Sequence, residues 1–279
     1  MRETFTWQLP RTAIELGRRT LIMGILNVTP DSFSDGGKYM DPKVALDRGL
    51  EIESEGAGVL DIGGESTRPG SIPIPQEEEL RRVIPTVKAL ARELEIPISV
   101  DTYRSEIARQ AIDAGAQIIN DISGLEMDPK MRVVASETKT GVVLMHSRGA
   151  RRNIHDRRTT DDLEKVCEEL GQSIETAVNA GIDRGAVVAD PGVGFGKSPR
   201  NNLKVLKRLD IFSRLGYPLL VGVSRKYLIK GSIPASSATV WTTAAAVALA
   251  VRGGAHAVRV HQIPEMRAVA EMVDQIEQA

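Results

Sequence analysis

The sequence predicts an α/β protein, a single-domain (β/α)8 TIM barrel over residues 1–279. Two observations carry this. Short apolar runs recur along the whole chain, each ending in a polar or Gly-rich loop and followed by a longer stretch of helical period. The runs are apolar throughout rather than alternating, which marks strands buried on both faces of a parallel sheet. Eight such units without a linker fit one barrel better than a doubly wound sheet, the runner-up, which has fewer strands and one dominant phosphate loop.

In order the strands are LIMGILN (21–27), GVLDIG (58–63), PISVD (97–101), QIINDI (117–122), GVVLMH (141–146), AVVADP (186–191), LLVGVS (219–224) and AVRVH (257–261). Asp41-Pro42 opens a helix, with Asp as cap and Pro at the first helical position. Pro75 followed by Gln and three Glu opens another, its acidic first turn suited to the helix dipole. Gly56, Gly115, Gly181 and Gly253-Gly254 punctuate the returns to the next strand.

Composition narrows the function. A net charge of −1 argues against a general polyanion binder, and aromatics at 4% against a stacking platform for nucleic acid. No nucleic acid and no membrane partner is expected. LIMGILNV (21–28) lacks a cleavage site, and the apolar run 244–251 is far below the roughly 20 residues that span a bilayer. The single cysteine, Cys167, lies in an amphipathic helical stretch and reads as a buried structural thiol. A reducing, cytoplasmic location fits.

In a (β/α)8 barrel the loops after the strands form the active face. Polar residues end nearly every strand: Asn27, Asp61, Asp101, Asn120 with Asp121, His146, Asp190, Ser224-Arg225-Lys226, and Arg259 with His261. Asp101, Asn120 and Asp190 suit a flat heterocycle with several N–H donors, since a carboxylate accepts two parallel hydrogen bonds from an N–C–N edge such as that of a pterin. Lys226 adds a donor. Arg68, Arg259 and His261, with Asn27, suit a leaving phosphate group or its metal. Four scattered histidines disfavour protein-held zinc, whereas Mg2+ shared with a pyrophosphate needs one or two oxygen ligands.

Two loops are long and rich in Gly, Ser, Thr and Pro: TPDSFSDGGKY (29–39) and GGESTRPGSIPIP (63–75). Such loops in a compact domain serve as lids. The segment DPGVGFGKS (190–198) is not a P-loop, because Pro191 stands where the first Gly belongs. It reads as a loop whose glycines let backbone approach a ligand, with Phe195 as a ligand contact or as an anchor to the core.

The segments GILNVTPDSFSDGG, DIGGESTRPG, SVDTYR, INDISG, MHSRG, DPGVGFGKS, SRK and RVH resemble the dihydropteroate synthase family in order and spacing, over nearly all of 21–261. The resemblance implies condensation of 6-hydroxymethyl-7,8-dihydropterin pyrophosphate with p-aminobenzoate, by an SN1-like route, to 7,8-dihydropteroate and pyrophosphate. It implies a folate-pathway transferase, a sulfonamide target, with Mg2+ and a homodimer. Asp101, Asn120, Asp190 and Lys226 would hold the pterin. Phe33, Ser66, Thr67, Phe195, Ser224 and Lys226 would frame p-aminobenzoate. Asn27, Thr67, Arg68, Arg259 and His261 would hold the pyrophosphate, Asn27 also the metal, and Arg68, Lys226, Arg259 and His261 would act in catalysis.

The sequence departs from the family pattern at Ser147, at Gln262 and over YLIKGSIPASSATVW after Lys226. Competing readings are a methyltransferase on a related pterin-binding barrel, a Schiff-base aldolase using Lys226, and a pterin binder without turnover. The first would not need Ser66-Thr67-Arg68 or the Arg259/His261 pair.

Overall fold

The computed structural model describes residues 2–29, 42–67, 71–147, 162–224 and 238–279. All eight predicted strands are present, each within its predicted bounds: β3 (Leu21–Asn27), β4 (Val59–Gly63), β5 (Ile98–Asp101), β6 (Ile118–Asp121), β7 (Gly141–Met145), β8 (Val187–Asp190), β9 (Leu220–Gly222) and β10 (Ala257–Val260). They form one parallel sheet in the order β8-β7-β6-β5-β4-β3-β10-β9. A parallel bridge between Ala189 and Leu219, with Ala189 N–H donating to the Pro218 carbonyl at 2.9 Å, brings the two edges together and closes the barrel.

Helices α1 (Pro42–Ser54), α2 (Gln76–Leu90), α3 (Ser105–Ala114), α4 (Lys130–Thr138), α5 (Leu163–Asn179), α6 (Pro199–Lys207), α7 (Asp210–Ser213), α8 (Ala238–Arg252) and α9 (Ile263–Gln278) lie between and after the strands. The predicted acidic turn of α2 is Glu77, Glu78 and Glu79. Asp41 lies outside the described residues. The strands are buried on both faces because their outward side chains, such as Leu60, Ile62, Val100 and Val142, join the helices in one large apolar cluster. Cys167 belongs to that cluster and is buried, as expected for a structural thiol. No helix among the described residues is long and apolar enough to cross a membrane.

One element was not anticipated. An antiparallel hairpin, β1 (Phe5–Gln8) with β2 (Ala13–Leu16), precedes the barrel. Trp7, Leu9 and Leu16 pack against the inward residues Met23, Val59, Ile118, Val143, Val188, Leu220 and Ala257. Trp7 is fully buried and its Nε1–H donates to the Ala186 carbonyl at 2.8 Å. The hairpin thus stoppers the end of the barrel opposite the β→α loops.

Candidate active site

Alternation along a strand decides which side chains enter the barrel. With Met23 and Val59 inward at the stoppered end, Asn27, Asp61 and Gly63 face inward further along, and the register pairs Asn27 with Gly63 and Gly63 with Asp101. The same register sets Asp101 beside Asn120, and Met145 beside Asp190. An apolar floor therefore gives way to a polar layer towards the loops.

Arg259 organises this layer. Its Nε donates to Asp61 Oδ2 at 2.6 Å and its Nη2 to Asp101 Oδ2 at 2.7 Å. Asn120 Nδ2 donates to the same Asp61 oxygen at 3.1 Å. Asp61 is fully buried, and its Oδ1 has no hydrogen-bond partner. Burial foremost raises the Asp101 pKa to about 7, against the pull of Arg259 and with Asp61 adding to the rise. For Arg259 burial opposes the charge, but Asp61 and Asp101 outweigh it and hold the pKa above the ordinary value. A layer with a spare buried carboxylate oxygen, and a second carboxylate once Asp101 is ionised, can accept several N–H donors from one flat ligand.

The other predicted residues that the structure describes gather around the mouth. Ser224 Oγ lies 2.9 Å from His261 Nδ1 and accepts from His261 N–H at 3.2 Å, which joins the ends of β9 and β10. A Cβ on Gly63 would stand 3.3 Å from Asn27 Oδ1 and 3.8 Å from Asp101 Oδ2, so all three share one small space. Asp190 Oδ1 accepts from Gly192 N–H at 2.7 Å and starts the Gly-rich loop. In that loop Lys197 Nζ donates to the Gly192 carbonyl at 3.0 Å and lies 3.0 Å from His146 Nδ1. Phe195 packs on Tyr103, Ile122 and Met145, which is the anchoring reading of that residue. Ser66 and Thr67 are half-buried on the loop after β4. Phe33, Arg68, Arg225 and Lys226 lie outside the described residues.

Sequence reasoning placed Asp61 among the strand-end residues but not among the ligand-holding ones; its full burial at the centre of the layer is the signal that only the fold supplies. The two departures at Ser147 and Gln262 each carry a buried side-chain oxygen without a hydrogen-bond partner. A cleft of about 1090 Å3 opens nearby, lined by Tyr103, Met145, His146 and Glu169 but by none of the interior acids. It lies between α5 and the loops after β5, β6 and β7, apart from the layer.

The family model for pterin binding enzymes matches residues 23–261. The dihydropteroate synthase of Bacillus subtilis is 45% identical over 94% of this chain and 90% of its own length. The chain belongs to the dihydropteroate synthase family. Two solved members of that family superpose closely. A Yersinia pestis dihydropteroate synthase in complex with a sulfonamide drug has a TM-score of 0.92 at 36% identity, covering 98% of this chain and 99% of that one. A Xanthomonas albilineans dihydropteroate synthase with 4-aminobenzoic acid has a TM-score of 0.90 at 38% identity, covering 99% of this chain and all of that one. The family and the barrel implied by the resemblance are thereby established.

Proposed function

We propose that this enzyme joins 6-hydroxymethyl-7,8-dihydropterin pyrophosphate to p-aminobenzoate, releasing pyrophosphate and 7,8-dihydropteroate, as a folate-pathway transferase that sulfonamides inhibit at the p-aminobenzoate site. The observation that carries it is the buried layer of Asp61, Asp101, Asn120 and Arg259 with Asp190 at its rim, set in a chain of this family. Asp101, Asn120 and Asp190 take the pterin's N–H edge, with Lys226 as a further donor.

The reaction needs no protein nucleophile. The methylene C–O bond breaks with its electron pair going to pyrophosphate, and the electron-rich ring delocalises the resulting cation. The arylamine nitrogen then forms the C–N bond and gives up one proton to water or the departing pyrophosphate. Asn27, Thr67, Arg68, Arg259 and His261 hold the leaving group, while Phe33, Ser66, Thr67, Phe195 and Ser224 orient the amine and exclude water.

Mg2+ fits as a partner of the pyrophosphate. Among the described residues no group of three or more His, Cys, Asp or Glu could hold a metal ion, but Asn27 Oδ1 offers one oxygen beside Gly63 and Asp101. A hard cation that takes its other ligands from phosphate and water needs no more. It would neutralise charge on the leaving group.

A homodimer is part of the same reading, built on α8 and α9. Trp241 and Leu249, exposed by 75% and 55%, line one outward stripe of α8, while Val247, Ala250 and Val251 face the core. Met272 and Ile276 are likewise exposed on α9, which packs beside α8. A second copy is the occupant that this stripe favours. The location read from the lone cysteine is the cytoplasm.

Pyrophosphate release from dihydropterin pyrophosphate and Mg2+, with and without p-aminobenzoate, tests the reading. Release that depends on p-aminobenzoate and yields dihydropteroate is expected. Pterin binding without release would overturn it in favour of a silent binder or the methyltransferase.

A further inference from the structure

A second buried charge cluster lies outside the polar layer, at the foot of the loop after β4. Arg104, on the loop after β5, donates from Nη2 to Glu65 Oε2 at 2.8 Å and to the Ile74 carbonyl at 2.6 Å. Its other terminal nitrogen pairs with Glu79 of α2. Glu65 Oε2 also accepts from Ile74 N–H at 3.0 Å, and Glu65 Oε1 accepts from the Tyr103 hydroxyl. Thr102 Oγ1 donates to the free side of Glu79 at 2.8 Å. The side chains of Glu65, Arg104 and Glu79 are 8%, 6% and 2% exposed.

Glu65 and Ile74 are nine positions apart, and both backbone polar groups of Ile74 are bound by the Glu65–Arg104 pair. The pair therefore closes the loop that carries Ser66 and Thr67 into a ring with a fixed foot. Ser71 Oγ, donating to the Ser66 carbonyl at 2.6 Å, adds a second cross-tie higher up. Tyr103 is linked to a different loop as well, since it shares with Ile122 and Met145 the cluster against which Phe195 packs. One dipeptide, Tyr103-Arg104, thus touches the supports of two loops, one carrying Ser66 and Thr67 and the other Phe195.

Energetics favour a positioning role over a stabilising one. Burying one guanidinium between two carboxylates gains little net stability, because desolvation offsets most of the attraction. Burial foremost holds the Glu79 pKa above its ordinary value despite Arg104. What such a cluster secures is geometry, because a guanidinium fork fixes direction as well as distance.

We propose that Glu65, Tyr103 and Arg104 are positioning residues for p-aminobenzoate, acting through the loops that carry Ser66, Thr67 and Phe195. The proposal rests on the synthase reading above. None of the three need touch the pterin, so the two substrates separate in the test.

The experiment compares Glu65→Gln and Tyr103→Phe with the wild type in the full-length protein. It reads KM for p-aminobenzoate, kcat, and the dissociation constant of dihydropterin pyrophosphate with Mg2+. Each variant is expected to raise KM for p-aminobenzoate about tenfold, on the scale of one lost hydrogen bond to a charged group, with the pterin constant held within about twofold. The double variant should cost less than the product of the two single effects, because both residues belong to one hydrogen-bonded network. Tyr103→Phe removes one hydroxyl and keeps the ring, so it decides the matter if Glu65→Gln does not fold. A parallel rise in both constants, or no change in either, would overturn the clasp. A wild type without p-aminobenzoate-dependent turnover would instead overturn the synthase reading.

Discussion

Arg259 Nη2 donates to Asp101 Oδ2 at 2.7 Å, a bond that reaches across the barrel from β10 to β5. Even so, burial leaves Asp101 with a pKa raised from 3.8 to about 7. The folded state thus holds a proton that the unfolded chain has released, and this group's contribution to stability falls as pH rises from 3.8 through about 7. Binding a pterin N–H edge requires the ionised form. Pterin affinity is therefore expected to weaken as pH drops below about 7, approaching tenfold per unit. Calorimetric titration on both sides of that pH checks this; Asp101→Asn should bind weakly with no slope, and an unchanged slope would assign the titration to another group.

Asp61 shares the same guanidinium but is buried completely. Asp61→Ala leaves Arg259 with one carboxylate and Asn120 without its acceptor, and should cost about 3–5 kcal/mol of stability. Urea denaturation measures it. Asp61→Asn keeps the volume and should fold better while still binding pterin poorly. Normal pterin affinity in that variant would remove Asp61 from the layer's function.

Gly192 has φ +69°, and a Cβ there would lie 2.0 Å from the His146 carbonyl oxygen. Left-handed backbone alone costs a side-chain-bearing residue about 1–2 kcal/mol, and the clash adds to it. Gly192→Ala should displace the loop that carries Phe195, lowering both the denaturation midpoint and turnover. A variant with the wild-type midpoint would show that the loop yields at no cost.

Trp241 is 75% exposed on the outward stripe of α8. Trp241→Glu places a charge in the proposed contact between copies, and sedimentation should then report monomer where the parent reports dimer. The change lies on a helix face, so pterin affinity should persist. A parent that sediments as monomer would end the dimer reading.

The strands were legible because a strand buried on both faces must be apolar along its whole length, as VVAD in β8 and VLDIG in β4 are. Which acids share one space was not legible. Asp61 and Arg259 are 198 positions apart and meet only because β10 pairs with β3, and β3 with β4. The hairpin escaped for a different reason. Its strands have four residues each, and only Trp7 in β1 and Leu16 in β2 are buried, too little alternation to register as a pattern. Glu65 and Arg104 lie 39 positions apart and belong to different units. Their pairing depends on two neighbouring strands ending side by side.

The stopper formed by Trp7, Leu9 and Leu16 has a consequence for traffic. A barrel shut at one end has a single doorway, and the acid layer lies deeper behind it than the loops bearing Ser66, Thr67 and Phe195. If the pterin fills the layer as proposed, it is expected to arrive before p-aminobenzoate, and the product to leave past the same loops. On the proposed reading, a hairpin at the far end of the barrel thus sets the order of entry.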